Sequence, residues 1–304
     1  MFEHIMVSLD GTPLAEQALS PAVSLARASG AHLHLATVLA PAHAGLSELS
    51  LELSADREED YLEQVAARVR DAGVSTVSTA QLKGESVVDA LEAHRAEVKA
   101  GLTVMCTHGR GAVQRAWLGS VADRLVRASE APLLLVRAAP IDEATGSEIR
   151  TDVSFKRVLV ALDGSHLSRQ SLGPATKLAG KEDAVYVLAR VMESPVGVGA
   201  GLIPGSEGTD ARLQKARALA EAKLSLEVQS FAPDGYNVES VAEFASSAAE
   251  GILELAKSRD ADVIVIATHG RKGVSRMMLG SVADKVVRGA DRPVLVVRPN
   301  VPSA

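Results

Sequence analysis

The feature that most constrains this chain is a stretch of sequence that occurs twice. Residues 106–137 read CTHGRGAVQRAWLGSVADRLVRASEAPLLLVR, and residues 267–298 read ATHGRKGVSRMMLGSVADKVVRGADRPVLVVR. The two agree at 18 of 32 positions, where unrelated sequence of ordinary composition would agree at about 2. Each follows an apolar run and passes through a loop holding a glycine, Gly109 or Gly270. Each then reaches Gly119-Ser120 or Gly280-Ser281 at the mouth of a helix and closes on a second apolar run. This reads as strand, glycine loop, helix, strand. Such a unit brings backbone N–H groups to one point, where the helix N-terminus adds its partial positive charge. A chain that carries it twice is a duplication, and 304 residues are enough for two domains.

The rest of the chain follows the same repeat. Strands are expected over 4–9, 32–39, 74–82, 102–107 and 133–136, and helices over 14–27, 48–72, 85–100 and 120–129. Gly30 and Gly73 stop the first two helices. Residues 140–153 are polar and lack an apolar period, which marks a linker between domains at 1–139 and 154–304. The order then restarts, with strands over 157–162, 184–191, 238–244, 262–267 and 294–297 and helices over 166–179, 211–229 and 246–259. Asp163 lies 153 residues after Asp10, but Gly270 lies 161 after Gly109, so the second copy gained eight residues between them. The glycine-rich segment 196–208 is the place for them, either as a tolerated surface insertion or as a flap over the site.

Strands alternating with helices imply right-handed parallel crossovers and a three-layer α/β domain. Only 3% of residues are aromatic, so the cores must be filled by Ala, Val and Leu. A net charge of −6 and a pI near 5.8 argue against a nucleic-acid surface. No apolar run reaches membrane-spanning length, and the first residues do not read as a signal peptide. The single cysteine, Cys106, cannot form an internal disulfide, which fits a reducing cytoplasm.

An open parallel sheet binds ligands beyond the carboxyl ends of its strands, where strand order reverses. If the first and fourth strands are neighbours, Asp10 meets the Gly109 loop there, and Asp163 meets the Gly270 loop. Glycines at Gly109 and Gly270 would let phosphate approach the backbone. Gly119-Ser120-Val121 and Gly280-Ser281-Val282 would offer N–H groups and a hydroxyl at a helix start. On this reading Gly280→Val removes anion binding at the second site and leaves most of the domain core alone. The plainer readings are an N-cap with a packing glycine, and an Asx-turn at each aspartate. His108 and His269 lack a nucleophile or a second metal ligand at the usual spacing and read as hydrogen-bonded loop residues. Arg110 and Arg271 could pair with phosphate or lie on the surface. There is no Walker lysine and no evident general base, so the residues do not read as a catalytic site.

These residues together resemble the universal stress protein (UspA-like) family in its tandem form. The resemblance rests on Asp10-Gly11-Thr12 and Asp163-Gly164-Ser165, on Thr-His-Gly-Arg at 107–110 and 268–271, on Gly-Ser-Val-Ala-Asp at 119–123 and 280–284, and on the closing apolar strands. It covers nearly all of both domains. It implies two tandem Rossmann-like α/β domains, each a five-stranded parallel sheet of order 3-2-1-4-5 with helices on both faces. ATP-binding members carry Gly, two residues, Gly, nine residues, then Gly-Ser or Gly-Thr. Here Cys106 and Ala267 stand at the first of these glycines. The resemblance implies ATP, with or without Mg²⁺, with Asp10 and Asp163 beside the ribose and Val38 and Val191 against the adenine. It also implies pairing through the last strands, between the two domains of one chain or in a homodimer. A cytoplasmic stress-response sensor or regulator binding adenine nucleotide is the leading expectation. The alternative is a stress scaffold that binds no nucleotide and acts through protein contacts. The smaller Ala267 favours the second domain as the tighter site.

Overall fold

The computed structural model describes residues 1–39, 48–107, 118–138, 148–194, 207–231, 234–268 and 279–300, and divides into two compact units, Met1–Ser154 and Phe155–Ala304. In the first unit β1 (His4–Leu9), β2 (His32–Leu39), β3 (Val77–Lys83), β4 (Leu102–Cys106) and β5 (Leu133–Val136) run parallel in the order β3-β2-β1-β4-β5. Between them lie α1 (Pro13–Glu16), α2 (Leu19–Ser29), α3 (Glu48–Asp71), α4 (Val87–Glu97) and α5 (Ser120–Ala128). The second unit repeats the plan. It has β6 (Arg157–Ala161), β7 (Val185–Glu193), β8 (Asn237–Ala245), β9 (Val263–Ala267) and β10 (Val294–Val297), in the order β8-β7-β6-β9-β10. Its helices are α6 (His166–Arg169), α7 (Leu172–Ala179), α8 (Glu207–Phe231), α9 (Ala248–Ser258) and α10 (Ser281–Gly289). The expected α/β fold and strand order are therefore present in both copies.

Burial explains why the strands read as continuous apolar runs. All five residues of β4 and of β9 are buried, which requires cover on both faces of the sheet. The edge strand β3 is only half-buried, matching its Ser/Thr-rich sequence, and starts at Val77 because Val74 still closes α3 through its N–H to the Val69 carbonyl.

The helices expected over 14–27 and 166–179 are each broken in two, for a reason visible in the sequence. Pro21 and Pro174 have no N–H, and their rings exclude the carbonyl four residues back, at Gln17 and Gln170. Those two glutamines are the C-caps of α1 and α6. Gly30 ends α2 at φ 69, as a left-handed C-cap should. Ser86 and Ser247 cap α4 and α9 by accepting from the Asp89 and Glu250 amides, at 3.3 Å in each case. Residues 195–206 lie outside the described residues, and Glu207-Gly208, expected in the loop, open α8 instead. Part of the polar segment read as a linker is held by the first unit: the Arg150 and Val153 amides donate to Ser20 and Ser24 of α2 at 3.0 and 3.2 Å.

Candidate functional site

Strand order reverses between β1 and β4, and again between β6 and β9. Ser8 lies beside Met105 and Ala161 beside Ile266. The turn after β1 and the end of β4 thus leave the sheet at the same edge, as do the turn after β6 and the end of β9. Asp10 and Asp163 occupy those turns. Asp10 Oδ1 accepts from the Thr12 amide at 3.0 Å and from its hydroxyl at 2.6 Å; Asp163 Oδ1 accepts from the Ser165 amide at 2.8 Å. The next hydroxyl along caps a helix in each unit, Thr12 Oγ1 accepting from Ala15 N and Ser165 Oγ from Ser168 N. Gly11 and Gly164 have φ 78 and 79, a region closed to most side chains. Both aspartates are therefore Asx-turn residues, whatever else they do.

Gly119 and Gly280 are the N-caps of α5 and α10, and no side chain caps either helix. Their own φ values, −63 and −59, suit any residue. What demands glycine is proximity. The Gly119 N–H donates to the Thr107 carbonyl at 2.7 Å and the Gly280 N–H to the Thr268 carbonyl at 2.8 Å. A Cβ would lie 3.1 Å and 2.7 Å from those same oxygens. Each helix N-terminus is thereby pinned to the end of the strand before it. This corrects the reading of Gly280→Val as a change confined to the anion site, since the added side chain strikes the backbone of the Thr268 end. Intrahelical bonding starts when Asp123 and Asp284 donate to the two glycine carbonyls at 2.9 Å. The amides of Ser120, Val121 and Ala122, and of Ser281, Val282 and Ala283, precede that point. Ser120 and Ser281 are exposed, with Val121 and Val282 half-buried behind them.

Val38 and Val191 lie near the carboxyl ends of β2 and β7 and are half-buried. Val191 is wedged against α9, where a Cβ on Gly251 would come within 2.6 Å of its Cγ1. Cys106 and Ala267 end β4 and β9, at 6% and 9% exposure, paired with Val136 and Val297. Gly109, Gly270, His108, His269, Arg110 and Arg271 lie outside the described residues.

One residue at the second site escaped the sequence reading. Arg190, on β7, is 8% exposed, and its guanidinium packs directly on Gly164 in the Asp163 turn. Register places Thr37 at the same point of the first unit, because Ser8 pairs with Ala36 as Ala161 pairs with Ala189. The signal was present in VYVLARVME, where an arginine interrupts an apolar run from Val185 to Met192.

Comparison with known proteins agrees with this architecture. The universal stress protein family model matches residues 1–137 and again 154–298. A universal stress protein of Methanocaldococcus jannaschii is 33% identical over 156 residues, covering 47% of this chain and 82% of its own. One from Mycobacterium tuberculosis is 27% identical over 200 residues, 66% of this chain and 62% of its own. The crystal structure of a universal stress protein from Archaeoglobus fulgidus superposes with a TM-score of 0.68 at 18% identity, covering 99% of this chain and 97% of that one. With the motif residues held at the same edge of two like sheets, and the family model matched once in each, the chain belongs to the universal stress protein family as a tandem pair.

Proposed function

We propose that this protein binds an adenine nucleotide, ATP, at the carboxyl edge between β1 and β4 and between β6 and β9, as a cytoplasmic sensor or regulator in the response to stress. The observation that carries this reading is the start of α5 and of α10. In both, a helix without a side-chain cap is pinned to a strand end and opens on an exposed serine. Phosphate is the natural occupant of such a point. The macrodipole contributes roughly 0.3–1 kcal/mol at an exposed helix end, whereas micromolar affinity needs about 8 kcal/mol. Most of the affinity must therefore come from the base and sugar. In this reading Val38 and Val191 would line the adenine, Asp10 and Asp163 would contact the ribose, and Ser120-Val121 and Ser281-Val282 would hold the phosphates. Gly109, Gly270 and any Mg²⁺ belong to the same reading. Arg190 adds a cation to the second site where the first has Thr37, so the second unit is the tighter one.

The test is calorimetry with ATP on untagged protein, together with mass spectrometry of the nucleotide released on denaturation. Binding that Ser281→Ala weakens several-fold supports the proposal. Absence of both released nucleotide and a calorimetric signal would leave the scaffold reading in its place. Trp117, the only tryptophan, offers a probe of the first site.

A further inference from the structure

The opposite, amino edge of the first sheet carries a cluster that the nucleotide reading does not use. His4 opens β1 and His32 opens β2, in register with each other. His34 lies two residues along β2, hence on the same face as His32, and Ser78 of β3 is its register partner. His4 Nδ1 is 3.1 Å from His34 Nε2, and Ser78 Oγ is 2.8 Å from His34 Nδ1 and 3.2 Å from His32 Nε2. Taking one ring nitrogen from each histidine, the three lie within 4.8 Å of one another. His34 is buried, while His4 and His32 are half-exposed.

The second unit shows that the fold does not demand these residues. At the same four register positions it has Arg157, Val185, Val187 and Glu239. There the Arg157 guanidinium spans to the Glu239 carboxylate at 3.0 Å, with Arg259 3.7 Å from the same carboxylate. An ion pair over two valines is thus one solution for this rim, and three imidazoles with a serine are another. Sheet packing accounts for the first but gives no reason to collect three imidazoles at one point.

We propose that His4, His32 and His34 bind a divalent first-row transition-metal ion of the zinc, nickel or copper type, with solvent completing its coordination. Imidazole nitrogen is the ligand these ions share. Three protein nitrogens with an open position is an established zinc arrangement. With Zn–N distances of about 2.0 Å, tetrahedral ligands are about 3.3 Å apart; the 3.1 Å between His4 and His34 is close to that separation. His32 has to move. Its ring is stacked on His34 with centroids 4.1 Å apart and planes 9° from parallel, so the lone pairs of the two rings do not yet converge. Its exposure at the rim lets it rotate. Ser78 then remains on His34 Nδ1, which leaves Nε2 as the ligand atom, as an outer hydrogen-bond partner does in metal sites. Two of the three imidazoles also hold a proton less readily than usual. Burial, and then the neighbouring His32, His4 and His94, push His34 down to about 4, and burial followed by His4 lowers His32.

The experiment uses the untagged full-length chain, stripped with chelator and kept without nucleotide. It is titrated with Zn²⁺ by calorimetry and with Co²⁺ by visible absorption. The expected result is one saturable ion per chain, with a Co²⁺ ligand-field spectrum showing nitrogen ligation. Replacing the cluster by the second unit's own solution, His4→Arg with His32→Val, His34→Val and Ser78→Glu, should abolish that site and leave circular dichroism unchanged. Ser78→Ala alone should weaken it about 10- to 100-fold. If the four-residue variant fails to fold, His32→Gln at the exposed rim decides: a loss of tenfold or more supports the site, and unchanged affinity overturns it. No saturable binding by the unaltered chain, or binding unchanged in the four-residue variant, also overturns it. None of these outcomes depends on whether ATP binds at the other edge.

Discussion

Gly119 and Gly280 form a matched pair for testing why the helix starts need glycine. Alanine is compatible with the observed φ at both, so on the unfolded side the substitution should stabilise by about 0.4–1 kcal/mol. The opposing term is steric. At Gly119 the new Cβ is 3.1 Å from the Thr107 oxygen, which a shift of a few tenths of an ångström relieves. At Gly280 it is 2.7 Å from the Thr268 oxygen. That oxygen cannot simply turn away, because it accepts the Gly280 N–H at 2.8 Å. Overpacking of this kind costs about 1–3 kcal/mol. Gly280→Ala should therefore lose about 1–2 kcal/mol net, and Gly119→Ala between about 0 and 1. Denaturant unfolding gives the totals, and hydrogen exchange of peptides over 281–289 and 120–128 assigns the loss to one helix. If the alanine at 280 is as stable as glycine, or the order of the two is reversed, the strand end does not set the glycine requirement.

Two further outcomes follow from local geometry. Gly251→Ala places a methyl 2.6 Å from Val191 Cγ1 and 2.7 Å from Ala245 Cβ, and should destabilise by about 1–3 kcal/mol in denaturant unfolding; a neutral result would mean that α9 is not seated on β7 as described. Lys99 and Asp260 hold φ 53 and 47 without being glycine, so Asp260→Gly should raise the unfolding free energy by up to about 1 kcal/mol, and a lower value in denaturant unfolding would refute the strain.

How much was legible depends on whether the relevant physics is local. β1, β2, β5 and β10 have the bounds expected, because a buried parallel strand is a β-branched or leucine run between turn residues and both signals lie in the sequence. The helix expected over 14–27 is two helices for the converse reason. Its apolar period continues through Ala18 and Leu19, so period alone hides the break, although Pro21 four residues after Gln17 marks it. At the site, the Asp-Gly-Thr/Ser turns and the Gly-Ser helix starts were readable as motifs. The contact of Gly119 with the Thr107 carbonyl was not, since it joins residues across a loop and depends on a distance. The histidine cluster needed register as well. His32 and His34 alternate visibly, but only the pairing of β1 with β2 brings His4 to them.

The two copies also separate what local chemistry explains from what it leaves over. The ion pair between the first helix and the long helix is Glu16–Arg68 in one unit and Arg169–Glu227 in the other. Exchanging both signs leaves the product of the charges unchanged, and with it the Coulomb attraction at a given separation, so the reversal costs the fold little. The turn aspartates cannot be exchanged in that way. Each must accept from an amide two residues on, which a carboxylate does and an ammonium cannot. Finding Asp at both turns is thus already explained by the Asx-turn and adds little for a ribose. Ser120 and Ser281 differ from both cases. They occur in both copies and are exposed, and among the described residues neither hydroxyl has a hydrogen-bond partner. Capping does not require them, because Gly119 and Gly280 hold the cap positions. A residue that neither packs nor caps is better explained by something it binds. The nucleotide proposal is therefore better judged on Ser281 than on Asp163, whose loss would disturb the turn whether or not ATP is there.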